Sequence, residues 1–139
     1  MQIRNYQPPD EQAVIALWNQ VLAPTAPHND PATNIRKKQE VTDDLFFVAT
    51  LEERVVGTVM GGYDGHRGWI YSVAVDPACQ RQGIGSALLN HVEAALIQRG
   101  ALKINLQVRS ANTEVIAFYA KLGYAVEPIV SMGKRLYAP

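Results

Sequence analysis

The chain has 139 residues and 47% hydrophobic content, which suits one domain over residues 1–139 with a sizeable core and leaves little room for a second. Thirteen basic residues balance thirteen acidic ones, so no overall positive field is available to hold a nucleic-acid backbone by counterion release. The single cysteine, Cys79, gives neither an internal disulfide nor a cysteine-rich metal site; no apolar run approaches the roughly 18 residues of a membrane span, and Met1-Gln2-Ile3-Arg4 lacks the apolar stretch of a signal peptide, so a soluble cytoplasmic protein without metal, membrane or nucleic-acid partner is expected.

Gln2 to Tyr6 reads as a short first strand. Pro8-Pro9-Asp10 then announces a helix with Val14, Ile15, Leu17, Trp18, Val21 and Leu22 on one face, ending before Pro24. The stretch from Ala23 to Pro31, with three prolines, is a loop by composition, and a short polar helix containing Arg36, Lys37 and Lys38 follows it. Leu45 to Leu51 and Val55 to Met60 read as strands of an antiparallel hairpin joined by Glu52-Glu53-Arg54. A third strand, Trp69 to Val75, lies beyond the loop Asp64 to Gly68 and completes a meander.

From Ile84 the period becomes helical, with Ile84, Leu88, Leu89, Val92, Ala95 and Leu96 on one face and Gly100 at the expected C-terminal cap. A strand over Leu102 to Val108, a helix from about Asn112 to Lys121 and two terminal strands complete the chain. Strand, helix, strand implies a locally parallel pair with a crossover.

Between Val73-Ala74-Val75 and the long helix stands Gln80-Arg81-Gln82-Gly83-Ile84-Gly85, with Ser86 entering the helix. A helix beginning there leaves several backbone N–H groups without helical partners, and its dipole favours an anion. Glycine at 83 and 85 lets a pyrophosphate approach the backbone, and Arg81 adds charge at the rim. The dinucleotide fingerprint needs a third glycine where Leu88 stands, and the nucleotide-hydrolase phosphate loop needs a Gly-Lys-Ser/Thr ending that is absent. On spacing alone the segment also fits an ordinary strand-to-helix turn.

Gln80-x-x-Gly83-x-Gly85 after Val73-Ala74-Val75 resembles the acyl-CoA signature of the GNAT family of N-acetyltransferases. Asn112, then Ala117-Phe118-Tyr119 and Leu122-Gly123-Tyr124, resembles the family's second motif. The run Val59 to Gly68, with Asn29-Asp30-Pro31 and Gly133-Lys134-Arg135-Leu136, is similar to the bacterial YpeA-like branch of that family. The resemblance implies an α/β fold with a mixed, mostly antiparallel sheet of six to seven strands. About four helices flank it, and the fourth and fifth strands splay where acetyl-CoA enters.

It also implies that the backbone of Val73, Ala74 and Val75 binds the pantetheine arm, that Gln80 to Ser86 hold the pyrophosphate, and that Asn112 contacts the cofactor arm. Tyr119 is then the acid that protonates the departing thiolate, its phenol near an ordinary pKa of ~10. The activity implied is acetyl transfer to a primary amine, on a small metabolite or a protein N-terminus, by direct attack in a ternary complex. A non-catalytic acyl-CoA sensor is the alternative.

A general base is missing. Protein N-terminal acetyltransferases similar to this chain carry a glutamate where Gln107 stands, and other relatives carry one where Trp69 stands. Tyr71, Asp64 and His66 could relay the proton through water, although the last two are also common turn residues. His28, Asn29 and Asp30 lie in a loop that in this family often walls the acceptor pocket, and Gln107 joins them as an acceptor-side candidate. Cys79 has no histidine nearby in sequence and reads as a loop residue rather than an acyl carrier. A monomer or a homodimer is expected.

Overall fold

Apolar runs build five strands that pair in chain order: β1 (Gln2–Asn5), β2 (Phe46–Leu51), β3 (Arg54–Tyr63), β4 (Gly68–Val75) and β5 (Ile104–Leu106). The first three pairings are antiparallel and β4–β5 is parallel, so the sheet is mixed and mostly antiparallel as expected. The computed structural model describes residues 1–137. It divides into a compact unit over Met1–Gln107, which holds the sheet, and a second from Val108 onward. Phe46 to Thr50 and Val56 to Gly61 are buried without alternation, because helices cover both faces of the sheet. Glu52 and Glu53, at φ 50° and 65°, make the two-residue turn between β2 and β3, so Arg54 belongs to β3 rather than to the turn.

Gly57 and Thr58 are neighbours on β3 and point to opposite faces. A Cβ on Gly57 would stand 2.9 Å from Leu88, on α3 (Ile84–Arg99), whereas the Thr58 hydroxyl meets Trp18 of α1 (Glu11–Val21). α1 and α2 (Pro31–Val41) share that second face: Val14, Leu17, Trp18 and Ile35 pack with Phe46, Val48, Met60 and Ala74. α3 closes on the first face with Ile84, Leu88, Leu89, Val92 and Leu96 buried, and Gly100 ends it in the left-handed conformation.

In the second unit, α4 (Thr113–Lys121) places Tyr119 edge-on to Phe118 and Tyr124, with ring centroids 5.2 and 5.8 Å away.

The sheet has five strands among the described residues, not six or seven. The two terminal strands expected after α4 do not form: residues 122–137 contain no strand. Pro128 offers no N–H to a ladder, and Val126, Ile129, Val130, Met132 and Leu136 are exposed. β5 is also shorter than Leu102 to Val108, with Leu102 fully in solvent. Its extent is limited by β4, which bends away.

Candidate active site

That bend is a bulge. Thr58 faces Ala74 and Met60 faces Tyr71, so Val59 alone stands opposite Ser72 and Val73. Ser72 takes φ 54°, the left-handed region that a non-glycine residue occupies only when its surroundings hold it there. A bulge bends the strand and raises its twist. The β4–β5 ladder accordingly runs from Gly68↔Ile104 to Ile70↔Leu106 and stops, while β4 continues to Val75. Over Tyr71 to Val75 one edge of β4 has no β5 partner, which is the expected splay between the fourth and fifth strands.

The open edge leads straight to the glycine turn. Asp76 fixes the connection: its backbone N–H reaches the Val56 carbonyl at 2.8 Å and its carboxylate accepts from the Ala78 N–H at 2.9 Å and from Arg54 at 3.2 Å. Cys79 is buried there, with the Arg54 guanidinium 3.9 Å from its sulfur. Gln80, Arg81 and Gln82 are exposed, and both Arg81 (φ 66°) and Gly83 (φ 77°) are left-handed. Gly83 is the N-cap of α3 and brings no side chain, so no side-chain cap satisfies the first turn, where Ile84, Gly85 and Ser86 stand. An anion at this end gains free donors and the dipole of a 16-residue helix together.

A sequence model of the acetyltransferase (GNAT) family matches residues 12–124, a span that includes the open edge, the glycine turn and α4. The chain belongs to the GNAT family of acetyltransferases. An acetyltransferase of Pectobacterium atrosepticum is 44% identical over 136 residues, covering 98% of this chain and 96% of that protein. Among solved structures, Ard1 from Thermoplasma volcanium is 29% identical with TM-score 0.81, over 91% of this chain and 83% of that one. The ribosomal-protein-S18-alanine N-acetyltransferase of Escherichia coli is 25% identical with TM-score 0.69, over 88% and 76%. The GNAT chain is thus an acetyl-CoA-dependent acyltransferase by family.

The acceptor-side candidates of this GNAT chain separate in space. Asp64 closes the β3–β4 turn, accepting from the N–H groups of His66 (2.7 Å) and Arg67 (2.6 Å) and from the Trp69 indole (3.2 Å). The backbone bonds from Arg67 and His66, then the Trp69 bond, hold its carboxyl below the usual carboxylate range, a poor setting for a base. The turn abuts Gly68, five residues from Val73, or roughly 17 Å along a strand. That distance takes Asp64 and His66 away from the open edge.

His28 and Asn29 are exposed in one helical turn (Pro27–Asn29) before α2. Asp30 is the N-cap of α2, accepting from the Thr33 hydroxyl (2.7 Å) and N–H (3.0 Å), and these bonds lower its pKa. Gln107 is exposed just beyond β5.

Tyr71 alone of this group lies on the open edge, two residues from Val73. Its hydroxyl is held by a residue that the sequence shows only as one of three basic residues in a short polar helix. Lys38 is buried on α2, and its ammonium donates to the Tyr71 hydroxyl (3.0 Å), to Asp43 (2.7 Å) and to the Gly61 carbonyl. Ammonium has three protons, and all three are used. The Tyr71 oxygen is therefore an acceptor toward Lys38, and its own proton turns toward the exposed side.

In the second unit, Asn112 stands at the N-cap position of α4 but makes no side-chain capping bond, so capping does not account for it. Burial pushes the Tyr119 phenol up to about 12, so it keeps its proton at neutral pH. Sequence reasoning missed Lys38, the bulge at Ser72 and the residues beneath it. A threonine inside the apolar run Val55 to Met60 was the available signal for the last of these. Among the described residues no cluster of His, Cys, Asp and Glu could hold a metal ion, and no helix is long and apolar enough to cross a membrane.

Proposed function

We propose that this chain is a single N-acetyltransferase domain that moves an acetyl group from acetyl-CoA to a primary amine by direct attack in a ternary complex. The observation that carries the reading is the unpaired edge of β4 over Tyr71 to Val75, running through an Asp76-fixed connection into a helix N-terminus without a side-chain cap. Those features fit an acyl-CoA: the edge suits a linear arm bearing amides, and the helix end suits a pyrophosphate. Bound acetyl-CoA supplies the acyl group as an activated thioester.

The chain's own residues then have distinct roles. The N–H groups of the turn from Gln80 and of Ile84, Gly85 and Ser86 bind phosphate oxygens. The backbone of Val73, Ala74 and Val75 adds the arm as if it were a strand, and one of its N–H groups polarises the thioester carbonyl. Asn112 holds the arm. Tyr119, protonated at neutral pH, donates to the sulfur as the carbon–sulfur bond breaks.

The amine proton leaves by way of Tyr71. Its oxygen has a second lone pair beside the one that faces Lys38, so it takes that proton while passing its own to water. Gln107 is an amide and Trp69 an indole bound to Asp64, so neither accepts a proton. Buried Cys79 is not placed to carry an acyl group, which favours direct attack.

Thiol release from acetyl-CoA, followed over polyamines, amino acids, aminoglycosides and short peptides, tests the reading. Peptides beginning with alanine belong in that panel because the Escherichia coli relative is named for a ribosomal-protein alanine. Turnover with one amine class is expected, and Tyr119→Phe should slow it by roughly 10²-fold while leaving CoA affinity intact. Unchanged turnover would remove Tyr119 from the mechanism. Tight binding with no turnover across the panel would instead mark an acyl-CoA sensor.

A further inference from the structure

The bulge in β4 is secured from the opposite side of the core. Trp18 is 2% exposed and Thr58 is fully buried. The Trp18 indole N–H donates to the Thr58 hydroxyl at 2.8 Å, and that hydroxyl donates to the Ser72 carbonyl at 2.9 Å. The direction of this relay is forced, because an indole nitrogen only donates and a carbonyl only accepts. A helix residue forty positions earlier than Thr58 therefore determines where the one proton of that hydroxyl goes. No water is needed and none of the three groups is left unsatisfied.

The consequence lies one peptide further on. The bond between Ser72 and Val73 is trans, so the Ser72 C=O and the Val73 N–H point in opposite directions. Thr58 holds the carbonyl toward β3 and the α1 face. The Val73 N–H is thereby turned the other way, toward the side on which β4 has no β5 partner. Without that hold, the Ser72 peptide would lose its acceptor bond in a partly buried setting, and the left-handed φ of Ser72 would lose the contact that offsets its strain.

We infer that Trp18 and Thr58 are positioning residues for the thioester: they aim the Val73 N–H at its carbonyl oxygen. Neither touches the cosubstrate. The inference rests on the acyl-CoA reading above and names which amide polarises the carbonyl and what holds it. The α3 turn, which binds the other end of acetyl-CoA, is built from different residues, so aim and affinity are separable.

The test uses the full chain and acetyl-CoA isotopically labelled at its acetyl carbonyl. Binding to the wild-type chain is expected to lower the carbonyl stretching frequency, the signature of a hydrogen bond to that oxygen. Thr58→Val keeps the shape and removes the hydroxyl; it should abolish most of that shift, keep the acetyl-CoA Kd within about threefold, and lower kcat roughly tenfold, less than the 10²–10³ that follows complete loss of an oxyanion donor. Thr58→Ser, which loses the methyl but keeps the relay, should retain the shift. Trp18→Phe keeps an aromatic ring and removes the donor, so an intermediate loss is expected, and it serves if the valine variant does not fold. An unchanged shift in folded Thr58→Val, or equal loss in the serine variant, overturns the positioning role alone. Failure of the wild-type chain to bind acetyl-CoA overturns the functional reading and the inference with it.

Discussion

Under α3 the sheet meets its helix mainly through glycine and aliphatic side chains, with Phe47 edge-on to His91 at 4.5 Å, whereas under α1 and α2 the same strands enclose the Thr58 hydroxyl, the Trp18 indole N–H and the Lys38 ammonium. On the α3 side the contact is a matter of space: a Cβ on Gly61 would stand 2.7 Å from Val92. On the other side it is a matter of direction. Thr58 turns a carbonyl, and Lys38 turns a hydroxyl, each toward a stated partner. The two faces therefore serve the site differently. One fixes where the N-terminus of α3 stands; the other fixes how the backbone and side chains of β4 are aimed.

If that division holds, the largest stability loss belongs to the apolar face. Leu88→Ala, at a position with no exposure, should cost about 3 kcal/mol in denaturant unfolding. It should also weaken acetyl-CoA binding, since the helix end shifts with its packing. A loss under 1 kcal/mol would mean the helix is not held there. Lys38→Met should come next, at about 2 kcal/mol, because it leaves Asp43 and the Gly61 carbonyl without their shared donor. The added change Asp43→Leu should recover part of that loss, and strict additivity of the two would show that the pair is not coupled. Unlike Leu88→Ala, Lys38→Met should reduce turnover through Tyr71 with little change in acetyl-CoA affinity.

The apolar face was legible in the sequence and the polar face was not. The helical period from Ile84 to Leu96 named Ile84, Leu88, Leu89, Val92 and Leu96, which are buried, together with Ala95, which is half-buried, because a helix that packs mainly by space records its partner as spacing. Trp18 was legible as core, but its N–H pointed to nothing without Thr58, forty residues on. Lys38 stood beside Arg36 and Lys37 in a stretch that reads as solvated charge; only the fold brings Gly61, Tyr71 and Asp43 around it. The glycine turn was legible because its chemistry is local. Asp64 and His66 showed residue types suited to a relay, yet the register of β3 on β4 sets them at the far end of the strand. The terminal strands failed for a nearer reason, since Pro128 offers no N–H to a ladder and Val126, Ile129 and Val130 beside it are exposed.

The smallest expected effect adds pH to the contrast. Arg4 on β1 holds Asp10, before α1, through two bonds of 2.8 and 2.9 Å, and Asp10 also accepts from the Gln7 N–H. The Arg4 hydrogen bond is the main reason the Asp10 carboxyl titrates below its ordinary value, against the opposing effect of burial. A carboxyl depressed in the folded state contributes stability that is present above its unfolded pKa, about 3.9, and is lost as pH falls through the lower folded value. Arg4→Met should therefore cost about 1 kcal/mol at neutral pH, Arg4 being partly in solvent. The gap between variant and wild type should narrow as pH falls below the unfolded value and close once pH has passed the lower folded value, with Asp10 protonated in both. Leu88→Ala has no titrating partner, so its deficit should persist through the same window. Unfolding curves of both variants across that range would separate a face held by charge and hydrogen bonds from one held by packing, and parallel pH profiles would erase the distinction.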